Sequence, residues 1–180
     1  MNKNLLDKPL DDEEMRNYLD CNNCIMTYAD LNDVKHLNEL LPTDKSFKVI
    51  LIETSKNNGH WVCIGRDGDT VYYFNSYGEK ADTDWRFIPK QVQRILDEDA
   101  GKLTELLKNS GYKIEQNTVQ YQKFSPKITT CGRWVVLFLS LMENKDFDLD
   151  DFEDFVDDYK KDNHIKNTDL VSRRKVTTST

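Results

Sequence analysis

Three side chains in this sequence could together run thiol chemistry: Cys131, His60 and Asn75. A thiolate is a strong nucleophile, and an imidazole can take and return its proton. A carboxamide oxygen can hold one ring N–H, leaving the other nitrogen as the base. Cys131 stands in Thr129-Thr130-Cys131-Gly132-Arg133-Trp134, directly before the apolar run Val135 to Met142. That run is about a dozen residues, too short for a bilayer. It predicts a helix buried on most sides and capped by Thr129 or Thr130. A cysteine in the first turn of a helix feels the positive end of the macrodipole and free backbone N–H groups, and both favour thiolate. Gly132 would leave the backbone beside it open to an acyl group, and the N–H groups there could hold an oxyanion.

His60 and Asn75 belong to one hairpin. Between Gly59 and Gly78, two apolar runs flank Asp67-Gly68, a strong two-residue turn signal. With those two residues as the turn, Arg66 faces Asp69, Gly65 faces Thr70 and His60 faces Asn75. Opposed residues have Cβ atoms roughly 4.5–5.5 Å apart. Alternation puts His60, Val62, Ile64, Val71, Tyr73 and Asn75 on one face, and Trp61, Cys63, Tyr72 and Phe74 on the other. Both faces are largely apolar, so both should be covered. Cys63 points away from His60, so a thiol served by that imidazole must come from elsewhere.

Taken singly, each residue has a plainer reading. A lone buried cysteine is more often a small hydrophobe than a nucleophile, and a lone histidine at a strand start is more often structural. The hairpin tie between His60 and Asn75 is what raises the chemical reading.

The 180 residues, with 38% hydrophobic and 11% aromatic content, suffice for one domain with a substantial core. A net charge of -7 argues against nonspecific nucleic-acid binding. No run is long and apolar enough to span a bilayer, and the first residues do not read as a signal peptide. Four cysteines without such a signal predict reduced thiols in an intracellular setting. Cys21-Asn22-Asn23-Cys24 is half of a zinc pattern, but the sequence holds no second pair, and its histidines are at 36, 60 and 164. A packed or loop pair is the simpler reading, and no metal or other cofactor is expected.

The remaining elements position the relay. Asp11 and Glu14 have capping-box spacing, opening a short helix with Met15, Tyr18 and Leu19 inward. From Asp30, the residues Leu31, Val34, Leu37, Leu40 and Leu41 predict a helix stopped by Pro42, with His36 in solvent. Phe47 to Thr54 reads as a central strand; a polar turn at Ser55 to Gly59 makes it an antiparallel neighbour of the hairpin. Asp82 to Phe87 reads as loop with Trp85 as an anchor. Pro89 starts a helix with Val92, Ile95 and Leu96 inward, and Leu103, Leu106 and Leu107 mark another. Tyr112, Ile114, Val119, Tyr121 and Phe124 suggest one or two strands before a loop with Pro126. Asp146 to Asp162 is an amphipathic helix with a solvated acidic face. From Asn163 the chain turns polar and ends in a loose tail.

The ordered set Gly59-His60-Trp61, Phe74-Asn75-Ser76-Tyr77-Gly78 and Thr130-Cys131-Gly132-Arg133-Trp134 resembles the adenain-like cysteine proteases, which include the SUMO-specific proteases. It looks closest to the maturation proteases of virophages, polinton-type elements and large DNA viruses. The resemblance covers roughly Phe47 to Leu141. It implies an α+β fold with a central, mostly antiparallel sheet flanked by helices and a buried helix starting at Cys131. Residues 1–165 would form one cysteine protease domain and 166–180 a flexible tail. Cys131 would be the nucleophile, His60 the base and Asn75 the residue orienting it. The family usually has Asp or Glu at the third place; Asn can orient the ring but adds no full charge. A family glutamine serves the oxyanion. At the usual spacing stands Phe124, so Gln122 is assigned, with Gln120 the other candidate. Substrates would be capsid or core precursors cut after small residues such as Gly, along walls built from Trp61 and Trp134. The protein would work in the host cytoplasm or virus factory and in the virion. Some relatives need a peptide or DNA activator; the negative charge here predicts no DNA activation. The other readings are an isopeptidase for a ubiquitin-like modifier, an inactive binding module of the same fold and, more distantly, a thiol acyltransferase.

Overall fold

Three β-rich runs in succession, joined by turns too short to cross over, must pair as antiparallel neighbours. In the computed structural model, which describes residues 9–83, 88–125, 127–144 and 147–176, they do. Strands β2 (Phe47–Ser55), β3 (Asn58–Asp67) and β4 (Thr70–Phe74) form the antiparallel centre of a five-stranded sheet in the order β1-β2-β3-β4-β5. The short edge strands β1 (Ile25–Thr27) and β5 (Lys113–Gln116) each add in parallel, to β2 and β4 respectively. The fold is α+β, with a mostly antiparallel sheet flanked by helices. β5 is the single strand found where one or two were expected.

The β3–β4 register differs from the sequence expectation. Asp67 pairs with Thr70 and Cys63 with Phe74, so the turn is Gly68-Asp69. Gly68 then occupies the first central position with φ +57°, which costs glycine nothing. Asp67 stays in the ladder, where its carboxylate meets Lys45 at 2.9 Å. Extending this register, His60 lies level with Tyr77, and Asn75 becomes its diagonal neighbour. The offset is two residues, so every side chain keeps its expected face.

Each face carries its own core. Trp61, Cys63, Tyr72 and Phe74 pack beneath α4 (Cys131–Met142), together with Met15 and Leu19 of α1 (Asp12–Leu19) and Phe152 and Val156 of α5 (Leu149–Asp162). Val62, Ile64, Val71 and Tyr73 pack on the other side against Leu103, Leu106 and Leu107 of α3 (Lys102–Lys108). α1 begins with the expected capping box between Asp11 and Glu14. α5 begins at Asp148, whose carboxylate accepts from the N–H groups of Asp150 and Asp151.

The stripe from Leu31 to Leu41 is buried as expected, but in two 3₁₀ turns, Tyr28–Asp33 and Leu37–Glu39, not one α-helix. Asp30 caps Thr27, and Glu39 caps Lys35 and His36, so each acidic residue closes its own short turn around extended backbone at Val34 and His36. In α2 (Lys90–Ile95) no residue is buried, and Ile95 points to solvent at 81% exposure, contrary to its expected inward place.

The loose tail is also corrected. Residues Asp169–Lys175 form α6, and Val171 and Val176 are buried in the α4-side core. Three apolar positions among polar neighbours were too few for a sequence signal, yet the surface left by α4 and α5 takes them. Cys21 and Cys24 face each other across the turn with their Cα atoms 5.8 Å apart, within reach of pairing. Among the described residues no group of His, Cys, Asp and Glu is placed to hold a metal ion. Trp85, Pro126, Asp146 and residues 177–180, all named in the sequence reading, lie outside the described residues.

Candidate active site

Cys131 is the first residue of α4 and only 6% exposed. Thr130 precedes it but does not cap the helix with its side chain; its hydroxyl donates to the Asp169 carboxylate at 3.1 Å. Burial alone pushes a thiol up, and the fully buried Cys63 shows this: its pKa lies well above the ordinary value. Cys131 is buried as deeply, and burial again is the largest single influence. The interaction with His60 and the backbone N–H groups of Trp61 and Gly132 outweigh it together and hold the thiol below its ordinary value. The chain thus has two buried free cysteines with opposite chemistry, and only one meets the imidazole.

His60 presents Nε2 to Asn75 Oδ1 at 2.8 Å. The same Oδ1 accepts from the backbone N–H of Tyr77 at 3.0 Å. A backbone N–H can only donate, so the atom it faces is oxygen, and His60 Nε2 must carry its proton. With Nε2 committed to Asn75, Nδ1 is the nitrogen left to take a proton from the Cys131 thiol. Asn75 is fully buried and sits one residue beyond β4. A carboxamide completes these bonds without placing a charge there.

Tyr77, level with His60 in the observed register, lays its ring on the imidazole with centroids 4.4 Å apart. Phe124 stacks on the far side of Tyr77 at 4.0 Å and is 53% exposed. Of the two glutamines considered, Gln122 is buried and lines the same cavity as Cys131 and His60, while Gln120 is exposed and donates to the Gln122 carbonyl. Gln122 Oε1 accepts from Ser76 Oγ at 2.8 Å and its Nε2 donates to the Ile128 carbonyl at 2.9 Å. That carbonyl can only accept, which sets the amide's orientation. The amide nitrogen has a second hydrogen, with the Tyr77 hydroxyl 3.4 Å away.

These groups open onto a cavity of about 700 Å³, walled by Trp61, Leu10, Leu51, Ile52, Ile88, Phe124 and Ile128, with Asp11 and Asp12 at the α1 end. Trp61 is the wall residue that was expected. Trp134 is not a wall: it is fully buried against Tyr121 and Phe152, because its position in α4 turns it to the core. Gly132 does not open the backbone to substrate either. A Cβ there would meet Leu10, Met15 and Trp61 at 3.3–3.4 Å, so its small size serves the close approach of α1 to α4.

Residues that the sequence reading passed over also belong to the site. Ser76 and Tyr77 stand inside the very motif that flanks Asn75. Asn117 bonds the Asn75 backbone, and no local pattern marks it.

No family model matches the chain. Over 111 residues, 61% of this chain, it is 38% identical to the uncharacterized protein V9 of Sputnik virophage. The aligned chain spans 62% of that protein's length. Among solved structures it is similar to the SUMO protease Ulp1 with its catalytic cysteine oxidized to a sulfenic acid, at 16% identity and a TM-score of 0.40, covering 92% of this chain and 76% of that one. The sulfinic acid form gives 15% identity and a TM-score of 0.41, covering 98% and 87%.

Proposed function

We propose that this protein is a thiol-dependent peptide hydrolase. The reading is carried by the His60 Nε2–Asn75 Oδ1 bond, with the ring tautomer set by the Tyr77 N–H, and by the Cys131 thiol, which lines the same cavity as His60 at the head of α4. His60 takes the thiol proton and the sulfur attacks a peptide carbonyl, forming a C–S bond. The oxyanion meets the N–H groups at the start of α4 and the hydrogen of Gln122 Nε2 that turns to it from the Tyr77 hydroxyl. The C–N bond then breaks as the imidazolium gives its proton to the leaving amine. Water, deprotonated by the same ring, splits the thioester and restores the thiol. All groups named are the chain's own side chains and backbone.

The proposed substrates are protein precursors of a viral capsid or core, cut after small residues, in host cytoplasm or virus factory and in the virion. The likeness to a virophage protein supports the viral setting. The test is co-expression of wild type or Cys131→Ser with candidate structural proteins, followed by mapping of new N-termini. Cuts after small residues that vanish in Cys131→Ser are expected. Identical termini in both would overturn the reading. Release of a fluorophore from SUMO or ubiquitin conjugates, with no precursor cut, would replace it with an isopeptidase.

A further inference from the structure

The β4–β5 pairing ends at Tyr73 and Gln116, so Asn75 lies where no strand neighbour remains to hold it. The Asn117 side chain takes that neighbour's place. Its Oδ1 accepts from the Asn75 N–H at 2.9 Å, and its Nδ2 donates to the Asn75 carbonyl at 2.8 Å and to the Val119 carbonyl at 3.2 Å. Asn117 is 5% exposed, so these bonds are made out of water. The Asn75 carbonyl also accepts from Gly78 N at 2.8 Å. Asn75 therefore has both backbone polar groups gripped while its side chain serves His60.

We infer that Asn117 is a positioning residue for the relay: it anchors the backbone of Asn75 and, through Asn75, sets the place and tautomer of His60. The inference rests on the thiol-hydrolase reading for its consequence and on geometry for its content. A carboxamide of this length supplies one acceptor and one donor pointing in nearly the same direction, matching the N–H and C=O of a single residue. A carboxylate would set oxygen against the two carbonyls, and an aliphatic chain would leave the Asn75 N–H unpaired and its carbonyl with Gly78 N alone. Misplacing a relay group by about 1 Å can cost on the order of 100-fold in rate.

The test uses the full chain with ¹⁵N-labelled histidine. NMR reads the His60 tautomer and the exchange of its Nε2 proton, and iodoacetamide reads Cys131 reactivity against pH. In wild type, the Nε2–H form is expected, with a slowly exchanging proton. In Asn117→Ala that proton should exchange at least tenfold faster, and Cys131 alkylation at neutral pH should fall about tenfold as its profile moves toward that of a free thiol. Asn117→Asp, which keeps the acceptor for the Asn75 N–H, should lie between and covers the case where Asn117→Ala does not fold. In an Asn75→Ala background, either Asn117 change should alter alkylation by less than twofold, because nothing is left to position. An unchanged Nε2 proton in folded Asn117 variants, or an equal loss in both backgrounds, would overturn the inference. If the proton responds as expected but wild-type Cys131 is no more reactive than free cysteine, the positioning role stands and the hydrolase reading fails.

Discussion

Tyr77 grips the candidate relay twice: its ring lies 4.4 Å from that of His60 and 19° from parallel, and its N–H donates to Asn75 Oδ1 at 3.0 Å. The backbone contact survives substitution, whereas the ring contact does not. An aromatic face beside imidazolium is worth roughly 0.5–2 kcal/mol. Tyr77→Leu should therefore lower kcat by about 3- to 30-fold, and Tyr77→Phe should keep most of the activity. Equal losses in both variants would show that the hydroxyl, not the stack, matters.

Asn75 orients the ring without a charge. Asn75→Ala should reduce kcat about 100-fold, with KM little changed. Asn75→Asp keeps an oxygen for Nε2–H and adds a negative charge that favours imidazolium. Its pH–rate profile should hold activity near neutrality and move its basic limb to higher pH. A profile that shifts to lower pH contradicts the assignment.

The two free cysteines should separate under alkylation. At pH 7, iodoacetamide should modify Cys131 and leave Cys63, whose thiol burial pushes up. His60→Ala removes the largest influence lowering the Cys131 thiol, so the optimum for its alkylation should move to higher pH. Peptide mapping by mass spectrometry reads both sites.

Glu98 is 7% exposed, and burial first, with the charge of Glu53 adding to it, raises its pKa to about 7. An unfolded glutamate titrates near 4.3. Between these values the native state holds the extra proton, so stability falls as pH rises from roughly 4.3 to 7 and is level in this respect above that. Glu98→Gln removes the penalty and can still accept from the Glu53 N–H, which Oε1 now meets at 2.8 Å. We expect it to stabilise the protein by about 1–3 kcal/mol above pH 7 and to change little below pH 4. Urea unfolding across that pH range measures it.

α6 bears on the start of α4. Asp169 accepts from the Thr130 hydroxyl, and Arg133 donates to the Val176 carbonyl. Val171 and Val176 are buried, each worth about 1.5–3 kcal/mol. A chain ending at Asn167 should lose several kcal/mol in urea unfolding, and its Cys131 should alkylate more slowly at neutral pH. A loose tail would change neither.

Much of this protein was written locally. The face of every hairpin residue follows from period-two alternation, and a two-residue slip in register leaves that parity untouched. The capping box at Asp11 and Glu14, the greasy helix headed by Cys131 and the approach of His60 to Asn75 were legible, since each depends on neighbours in sequence, on the hairpin or on strong apolar patterning. Tertiary structure decided the rest. The turn settled on Gly68-Asp69 because glycine takes positive φ freely and Asp67 has a cation waiting on another segment. Gln122 rather than Gln120 reached the cavity because Ser76 and Ile128, far apart in the chain, hold its amide. Asn117 and α6 gave no local sign, for their roles consist of filling hydrogen bonds and apolar surface that exist only once the sheet and α4 have come together.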